Sequence, residues 1–244
     1  MSKFSRLKAN LGFWEAAQLY VQMRNKGYKD VRMKKIEHSF TLRKNPYDYV
    51  TFEEVLLKKS YELPAGIKPA RIIDGGGNIG LTAVFFANRF PEAKIITVEP
   101  DKDNFALLSA NCSPYKNITC MNAGIWNRPA HLTIIDQGHG NNAFTVQEVP
   151  AAVSGSVAAV SIESIRQSQQ WDTIDVVKLD IEGSEKQVFE KDYESWLPKT
   201  KVLFIELHDR MVKGCSKAVF GAMSKYDFNC EIAGENLLFV NTAL

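Results

Sequence analysis

The sequence predicts an α/β protein built on a doubly wound, mainly parallel sheet. Three observations carry this. From Arg71 onward, short apolar runs of strand length alternate with segments of helical period. A glycine-rich turn, Gly75-Gly76-Gly77-Asn78-Ile79-Gly80, separates the first such strand from the first such helix. Two later runs, "TIDVVKLDIEG" and "KVLFIELHD", read as long, buried-type strands, as expected inside a parallel sheet.

Residues 1–68 read as a separate helical and mixed cap. "FWEAAQLYVQMRN" places Phe13, Ala17, Tyr20 and Val21 at helical spacing. A mixed stretch then turns helical around Val55–Leu57, and "LPAGIKPA" supplies two prolines and a glycine as a boundary. Residues 69–244 form the second unit. "RIID" is its first strand, and "NIGLTAVFFANRF" is a helix opened by Asn78. "AKIITVEP" is a strand stopped by Pro100, and "DKDNFALLSANC" is a helix with Asp101 as N-cap. "ITCMNAGI" is a third strand, and "AHLTIID", "AFTVQEV" and "SVAAVSIES" read as an added hairpin or meander around the polar "QGHGNN". The two buried strands follow, each leading to a helix. "KYDFNCEIAGENLLFVN" closes as two strands around Gly234, which makes the last strand antiparallel.

An apolar content of 45% with 24% charged residues is that of an ordinary water-soluble globular chain. No run approaches the roughly 20 apolar residues that span a bilayer, and the first 20 residues lack the pattern of a signal peptide. Cys112, Cys120, Cys215 and Cys230 form no CxxC pair, so free thiols in a reducing, cytoplasmic setting are expected. The first 70 residues hold 14 Lys and Arg against 7 Asp and Glu, a net +7, which leaves −5 for the rest of a chain whose total is +2. Such a basic start leaves room for weak peripheral contact with an anionic membrane surface. No nucleic-acid signature accompanies it, so nucleic acid is not an expected partner.

The glycine turn alone satisfies a dinucleotide fingerprint, with Glu99 at a ribose-binding distance. Asp74 at its entrance argues against a pyrophosphate, because like charges in a partly buried site repel far more than in water. A ligand carrying an ammonium and a sulfonium instead of phosphates, S-adenosylmethionine, removes that conflict. Asp74, Gly75, Gly76, Gly77, Asn78 and Gly80 are then expected to meet its methionine portion. Glu99 accepts the ribose hydroxyls, and Pro100, Asn104, Asn122, Ala123 and Asp180 complete the contact set.

A second acidic group falls at the ends of the two buried strands. Asp180 ends an apolar run and Glu182 points the same way if extended geometry persists, while "IELHDR" presents Glu206, His208 and Asp209. A hydroxyl acceptor needs to lose its proton. His208 or a carboxylate could take it as general base, or a magnesium-like divalent cation on Asp180, Glu206 and His208 could polarise it. Both routes stay open. Asp180, Glu182, Glu206 and His208 are the catalytic candidates, and Glu185 reads as a charge at a helix N-terminus. His139 and Asn142 read as a solvated loop, with a substrate lid as the alternative.

With "IIDGGGNIG", "VEPDKDNF", "MNAGIWN", "SIESI", "VVKLDIEGSE" and "IELHDR" in this order, the sequence resembles the FkbM family of S-adenosylmethionine-dependent methyltransferases. The resemblance runs from about Arg71 to the end. It implies a Rossmann-like class I methyltransferase fold with a seven-stranded sheet and an antiparallel last strand. It also implies O-methylation of a sugar, glycan, glycosylated or polyketide hydroxyl. Gly77 departs from the alanine that the family often carries, without expected harm to cofactor binding. An NAD-dependent oxidoreductase and a catalytically inactive binding scaffold are the rival classes.

Overall fold

The computed structural model describes residues 2–136, 144–150 and 153–244. His139 and Asn142 lie outside these. The chain begins with helices α1 (Lys3–Leu11) and α2 (Phe13–Lys26), then α3 (Pro46–Phe52), which runs into a single π-helical turn, Glu53–Leu57. Next come β1 (Arg71–Gly75), α4 (Leu81–Arg89), β2 (Lys94–Val98), α5 (Lys102–Cys112) and β3 (Ile118–Met121). Strands β4 (Gly124–Ile125), β5 (Ala130–Asp136), β6 (Phe144–Val149) and β7 (Val157–Val160) precede α6 (Ile162–Ser168). The chain finishes with β8 (Ile174–Leu179), α7 (Glu185–Glu190), β9 (Thr200–Ile205), α8 (Cys215–Met223), β10 (Phe228–Ala233) and β11 (Asn236–Asn241).

Seven strands form the main sheet in the order β10-β11-β9-β8-β1-β2-β3. All neighbours between β9 and β3 are parallel, and β11 is antiparallel to both β9 and β10. This is the class I methyltransferase-like arrangement, with the antiparallel last strand inserted beside β9. Both sheet faces are covered. Ile72 faces a cluster that joins Phe86 and Phe204 to Leu7, Leu19, Phe40 and Phe52, while Ile73 faces one with Val177, Phe189 and Val219. Residues from the first 68 positions thus share a core with the sheet.

Several boundaries differ from the sequence expectation, each for a local reason. The first helix after β1 opens at Leu81 behind Gly80 at φ 87°, and Asn78 sits earlier, in the turn, at φ 48°. The "ITCMNAGI" run is divided, since Gly124–Ile125 pairs with β7 in a second sheet ordered β4-β7-β5-β6. Strand β7 ends at Val160 because Ser161 and Ser164 form a reciprocal capping box that starts α6. Helix α2 buries Ala16, Leu19 and Met23, leaving Phe13, Tyr20 and Val21 exposed. Both sets fit a helical period, so periodicity alone could not choose the buried face. Asp101 caps α5 as expected, accepting from the amides of Asp103 and Asn104. All four cysteines are free thiols, and no helix of the described residues is long and apolar enough to cross a membrane.

Candidate active site

The parallel strands β1, β2, β8 and β9 deliver their carboxyl ends to one cleft, the usual ligand position in an open α/β sheet. Its floor is the glycine turn after β1. Gly76 (φ 76°) lies so close to the next strand that an added Cβ would stand 1.8 Å from the carbonyl oxygen of Asp180. At Gly77 a Cβ would stand 2.3 Å from Thr97 Oγ1 and 2.6 Å from Leu108 Cδ1, so the departure from alanine at this position has a packing cause here. The turn uses its own amides internally. Gly76 and Gly77 both donate to the Val98 carbonyl, Asn78 donates to Glu99 Oε2 and Gly80 to the Gly77 carbonyl.

Asp74 does not face the cleft. It is fully buried, and strand register places it level with Thr97 on β2 and Lys178 on β8. Thr97 Oγ1 donates to Asp74 Oδ2 at 2.8 Å, and Lys178 Nζ stands 3.5 Å from Asp74 Oδ1. Lys178, 2% exposed, also donates to the carbonyls of Gly76 (2.7 Å) and Gly75 (3.3 Å), pinning the turn from below. Burial opposes its charge, but Tyr61, Asp74 and Asp180 outweigh that and raise its pKa. The charge expected to await a ligand ammonium is therefore already answered by a lysine. The signal was the one Lys in a strand that reads as buried throughout, because a buried cation needs a partner.

Glu99 closes the β2 side. Its two oxygens accept from the amides of Asn78 (2.8 Å) and Asp101 (2.9 Å). Burial pushes its carboxyl up to about 7 despite those two hydrogen bonds. Gly76, Gly77, Asn78, Glu99, Pro100, Asn104 and Asp180 line the cleft. Of the other expected contacts, Gly75 and Gly80 belong to the turn's framework, and Asn122 donates to the carbonyls of Glu99 and Pro100, bracing the loop. Ala123 is buried in the core, and Gly124 and Ile125 form the cleft wall beside it.

At the opposite end Asp180, Glu182 and Glu206 line the cleft and surround His208, which is 1% exposed behind them. Extended geometry does not persist past β8. Glu182 (φ 51°) and Gly183 (φ 102°) curl the chain back, and that curl brings Glu182 to the histidine. His208 Nδ1 stands 2.9 Å from Glu185 Oε1, and Glu185, fully buried, accepts from the amides of Ile181 and Gly183. Nε2 faces Glu182 Oε2 at 3.3 Å, Glu206 Oε1 at 3.4 Å and Asp180 Oδ1 at 3.7 Å, hydrogen-bonded to none. Burial opposes an imidazolium, yet Glu185, Glu206 and Asp180 together hold the His208 pKa up to about 11. That makes His208 a poor general base in this state. Burial and the Asp180 charge push Glu182 up to about 8. Asp209 is turned away, accepting from Gly214 and Ser216 at the start of α8. The fourth carboxylate of the cluster is instead Glu185.

The first 68 residues supply the third wall, through side chains that the sequence did not single out. Thr51, Glu54 and Tyr61 line the cleft, and Asn78 Nδ2 reaches Thr51 Oγ1 at 3.4 Å. The π-helical turn exposes Glu54 to the cleft while burying Leu56 and Leu57, as such turns often do at functional sites. Burial and Glu235 push Glu54 up to about 7. Five cleft-lining carboxylates, Glu54, Asp180, Glu182, Glu206 and Glu235, make this end acidic.

Comparison with known proteins bears on the family and the fold. A family model described as the methyltransferase FkbM domain matches residues 74–230. The curated methyltransferase sdnD of Sordaria araneosa is 25% identical over 180 residues, covering 59% of this chain and 69% of that protein. A solved structure of a methyltransferase FkbM from Methylobacillus flagellatus KT shares the fold at 16% identity and a TM-score of 0.52. That match covers 80% of this chain but only 50% of the other, so the chain spans half the length of that relative.

Proposed function

Because the chain belongs to the methyltransferase FkbM domain family, we propose that it moves a methyl group from S-adenosylmethionine to a hydroxyl oxygen. The acceptor in this proposal is a sugar, a glycan, or a glycosylated or polyketide metabolite. The observation that carries the cofactor assignment is the state of the glycine turn. The amides of Gly76, Gly77, Asn78 and Gly80 are all engaged within the protein, so a pyrophosphate would find none of these donors free. A ligand that needs close backbone approach and a ribose acceptor is accommodated by Gly76, Gly77 and Glu99. This supports S-adenosylmethionine over NAD on a ground that survives the neutralisation of Asp74 by Lys178.

Bound there, the cofactor supplies an electrophilic methyl carried on a sulfonium. The protein's part is to align an acceptor oxygen with it at the acidic end and to exclude water. Asp180, Glu182 and Glu206 border that position, and a carboxylate there accepts the hydroxyl proton as the oxygen–methyl bond forms and the sulfur–methyl bond breaks. His208, held behind them, positions the carboxylates and balances their charge. The same carboxylates favour neutral polyhydroxylated acceptors, whose hydroxyls donate to them, over phosphorylated ones.

The test is formation of S-adenosylhomocysteine from S-adenosylmethionine with a panel of sugars and their phosphorylated counterparts. Turnover is expected with a neutral acceptor and not with its phosphate. Asp180→Asn is expected to lower turnover by roughly 10²–10⁴-fold with cofactor affinity nearly unchanged. Normal rates in that variant with the true acceptor would remove Asp180 from the chemistry.

Cofactor affinity should also depend on pH through Glu99. Its raised pKa, about 7, means that the ribose-accepting carboxylate is present above neutrality and is lost as pH falls through that value. S-adenosylhomocysteine affinity is therefore expected to be flat above about pH 8 and to fall below about pH 7, by up to about tenfold per unit. Glu99→Gln should bind weakly at every pH. A wild-type profile that stays flat from about pH 5 to about pH 9 would show that Glu99 does not hold the ribose.

A further inference from the structure

The acidic end of the cleft contains a donor set that methyl transfer by carboxylate alone does not require. We propose that Asp180, Glu182 and His208 bind one divalent cation, with Glu185 fixing the orientation and tautomer of the histidine. This rests on the methyl-transfer reading only for the cation's purpose, not for its binding. Three features of the geometry point to it.

The imidazole is set up as a ligand. Nδ1 is committed to Glu185 Oε1 at 2.9 Å, and Glu185 is anchored by the amides of Ile181 and Gly183. A cation binding here displaces the proton that Nε2 carries beside these carboxylates. The histidine, its Nδ1–H held by a buried carboxylate, then presents the lone pair of Nε2, the arrangement that supports metal-bound histidines. Nε2 is buried, aimed at the carboxylates, and without a hydrogen-bond partner. Glu182 Oε2, 3.3 Å from it, is likewise buried without a hydrogen-bond partner. Buried polar atoms are seldom left so, and one cation between the two would satisfy both.

The spacing is that of a coordination sphere. One donor atom each from Asp180, Glu182 and His208 lies within 4.8 Å of the other two. Adjacent ligands at bond lengths of about 2.1 Å stand about 3 Å apart, and opposite ones about 4.2 Å. The separations of Nε2 from Glu182 Oε2 (3.3 Å) and Asp180 Oδ1 (3.7 Å) sit in this range. Small side-chain adjustments would close them onto an ion.

The donor chemistry selects among metals. Two carboxylates and one imidazole suit an ion such as Mn²⁺, which prefers oxygen ligands and also accepts an imidazole nitrogen. Asp180 and Glu182 also line the cleft, so a cation on them would border the acceptor position, where a Lewis acid makes a hydroxyl easier to deprotonate. Glu206, 3.4 Å from Nε2 but outside the mutually close donor group, is left to receive that proton.

The experiment is titration of the chelator-stripped full chain with Mn²⁺, reading loss of the free-ion electron paramagnetic resonance signal, with calorimetry for stoichiometry. One Mn²⁺ per chain is expected. Binding should weaken more than tenfold in His208→Gln and Glu182→Gln, and about tenfold in Glu185→Gln. Glu54→Gln, a cleft carboxylate outside the donor set, should stay within about twofold of wild type. Glu182→Gln and Glu185→Gln preserve side-chain shape, and thermal melts of each variant separate lost binding from lost folding. Absence of saturable binding at millimolar Mn²⁺ overturns the proposal, as does equal weakening in Glu54→Gln and His208→Gln, which marks diffuse attraction. S-adenosylhomocysteine titrated into the same samples keeps the two ideas apart. If it binds and Mn²⁺ does not, only the metal site falls; if Mn²⁺ binds and it does not, only the methyl-transfer reading falls.

Discussion

Lys178→Met is expected to destabilise the protein severely, and adding Asp74→Asn to the same chain is expected to recover most of the loss. Lys178 and Asp74 are 2% and 0% exposed and stand 3.5 Å apart in the middle of the sheet. Removing one member of such a pair strands the other as an uncompensated buried charge, which costs about 3–5 kcal/mol. For a chain of this size each kcal/mol lowers the melting temperature by about 2–4 °C, so the single variant should melt roughly 6–20 °C lower. The double variant leaves no charge at positions 74 and 178. Asp180, 3.8 Å from Lys178 Nζ, loses that neighbour but is 30% exposed at the cleft. Thr97 can still donate to the side-chain amide oxygen that Asp74→Asn introduces. What it cannot restore are the Lys178 hydrogen bonds to the carbonyls of Gly75 and Gly76. Its cofactor affinity should therefore remain reduced although its stability returns. A single variant that melts within about 2 °C of wild type would mean that the pair does not hold the turn.

Gly76→Ala is expected to abolish cofactor binding, lowering S-adenosylhomocysteine affinity by more than about 100-fold. A Cβ there meets the Asp180 carbonyl oxygen at 1.8 Å and its carbon at 2.8 Å, and the backbone is at φ 76°. The obstacle is main chain, so no rotamer change relieves it; either β8 separates from β1 or the turn refolds. Both movements displace the Asn78 amide from Glu99. The matched control is Gly221→Ala in α8, where a Cβ meets nothing within 4 Å. In a helix that change should stabilise by about 0.5–1 kcal/mol and leave binding alone. Binding by Gly76→Ala within a few-fold of wild type would contradict the packing of the turn described above.

The strand–helix alternation was legible because β1, β2, β8 and β9 are buried on both faces and so appear as short runs dominated by Ile, Val, Leu and Phe. The antiparallel end was legible in Gly234, which turns at φ 68° between β10 and β11. The carboxyl-end residues Glu99, Asp180 and Glu206 followed from strand ends, a local property. What escaped is long-range. Asp74 meets Lys178 only through the β1–β8 register, 104 positions apart in sequence (178 − 74). His208 meets Glu185 because the turn at Glu182 and Gly183 folds back. Glu54 and Tyr61 reach the cleft only when the first 68 residues dock on the sheet, and an equally periodic α2 could not say which face docks.

Whether the glycine turn holds S-adenosylmethionine rather than a dinucleotide is tested most directly by calorimetry. The purified chain is titrated with S-adenosylhomocysteine and, separately, with NAD. The engaged amides of the turn and the acceptor oxygens of Glu99 lead us to expect saturable one-to-one binding of the former, weakened in Glu99→Gln. NAD at millimolar concentration should give no heat of binding. Saturable binding of NAD with S-adenosylhomocysteine silent would contradict this account.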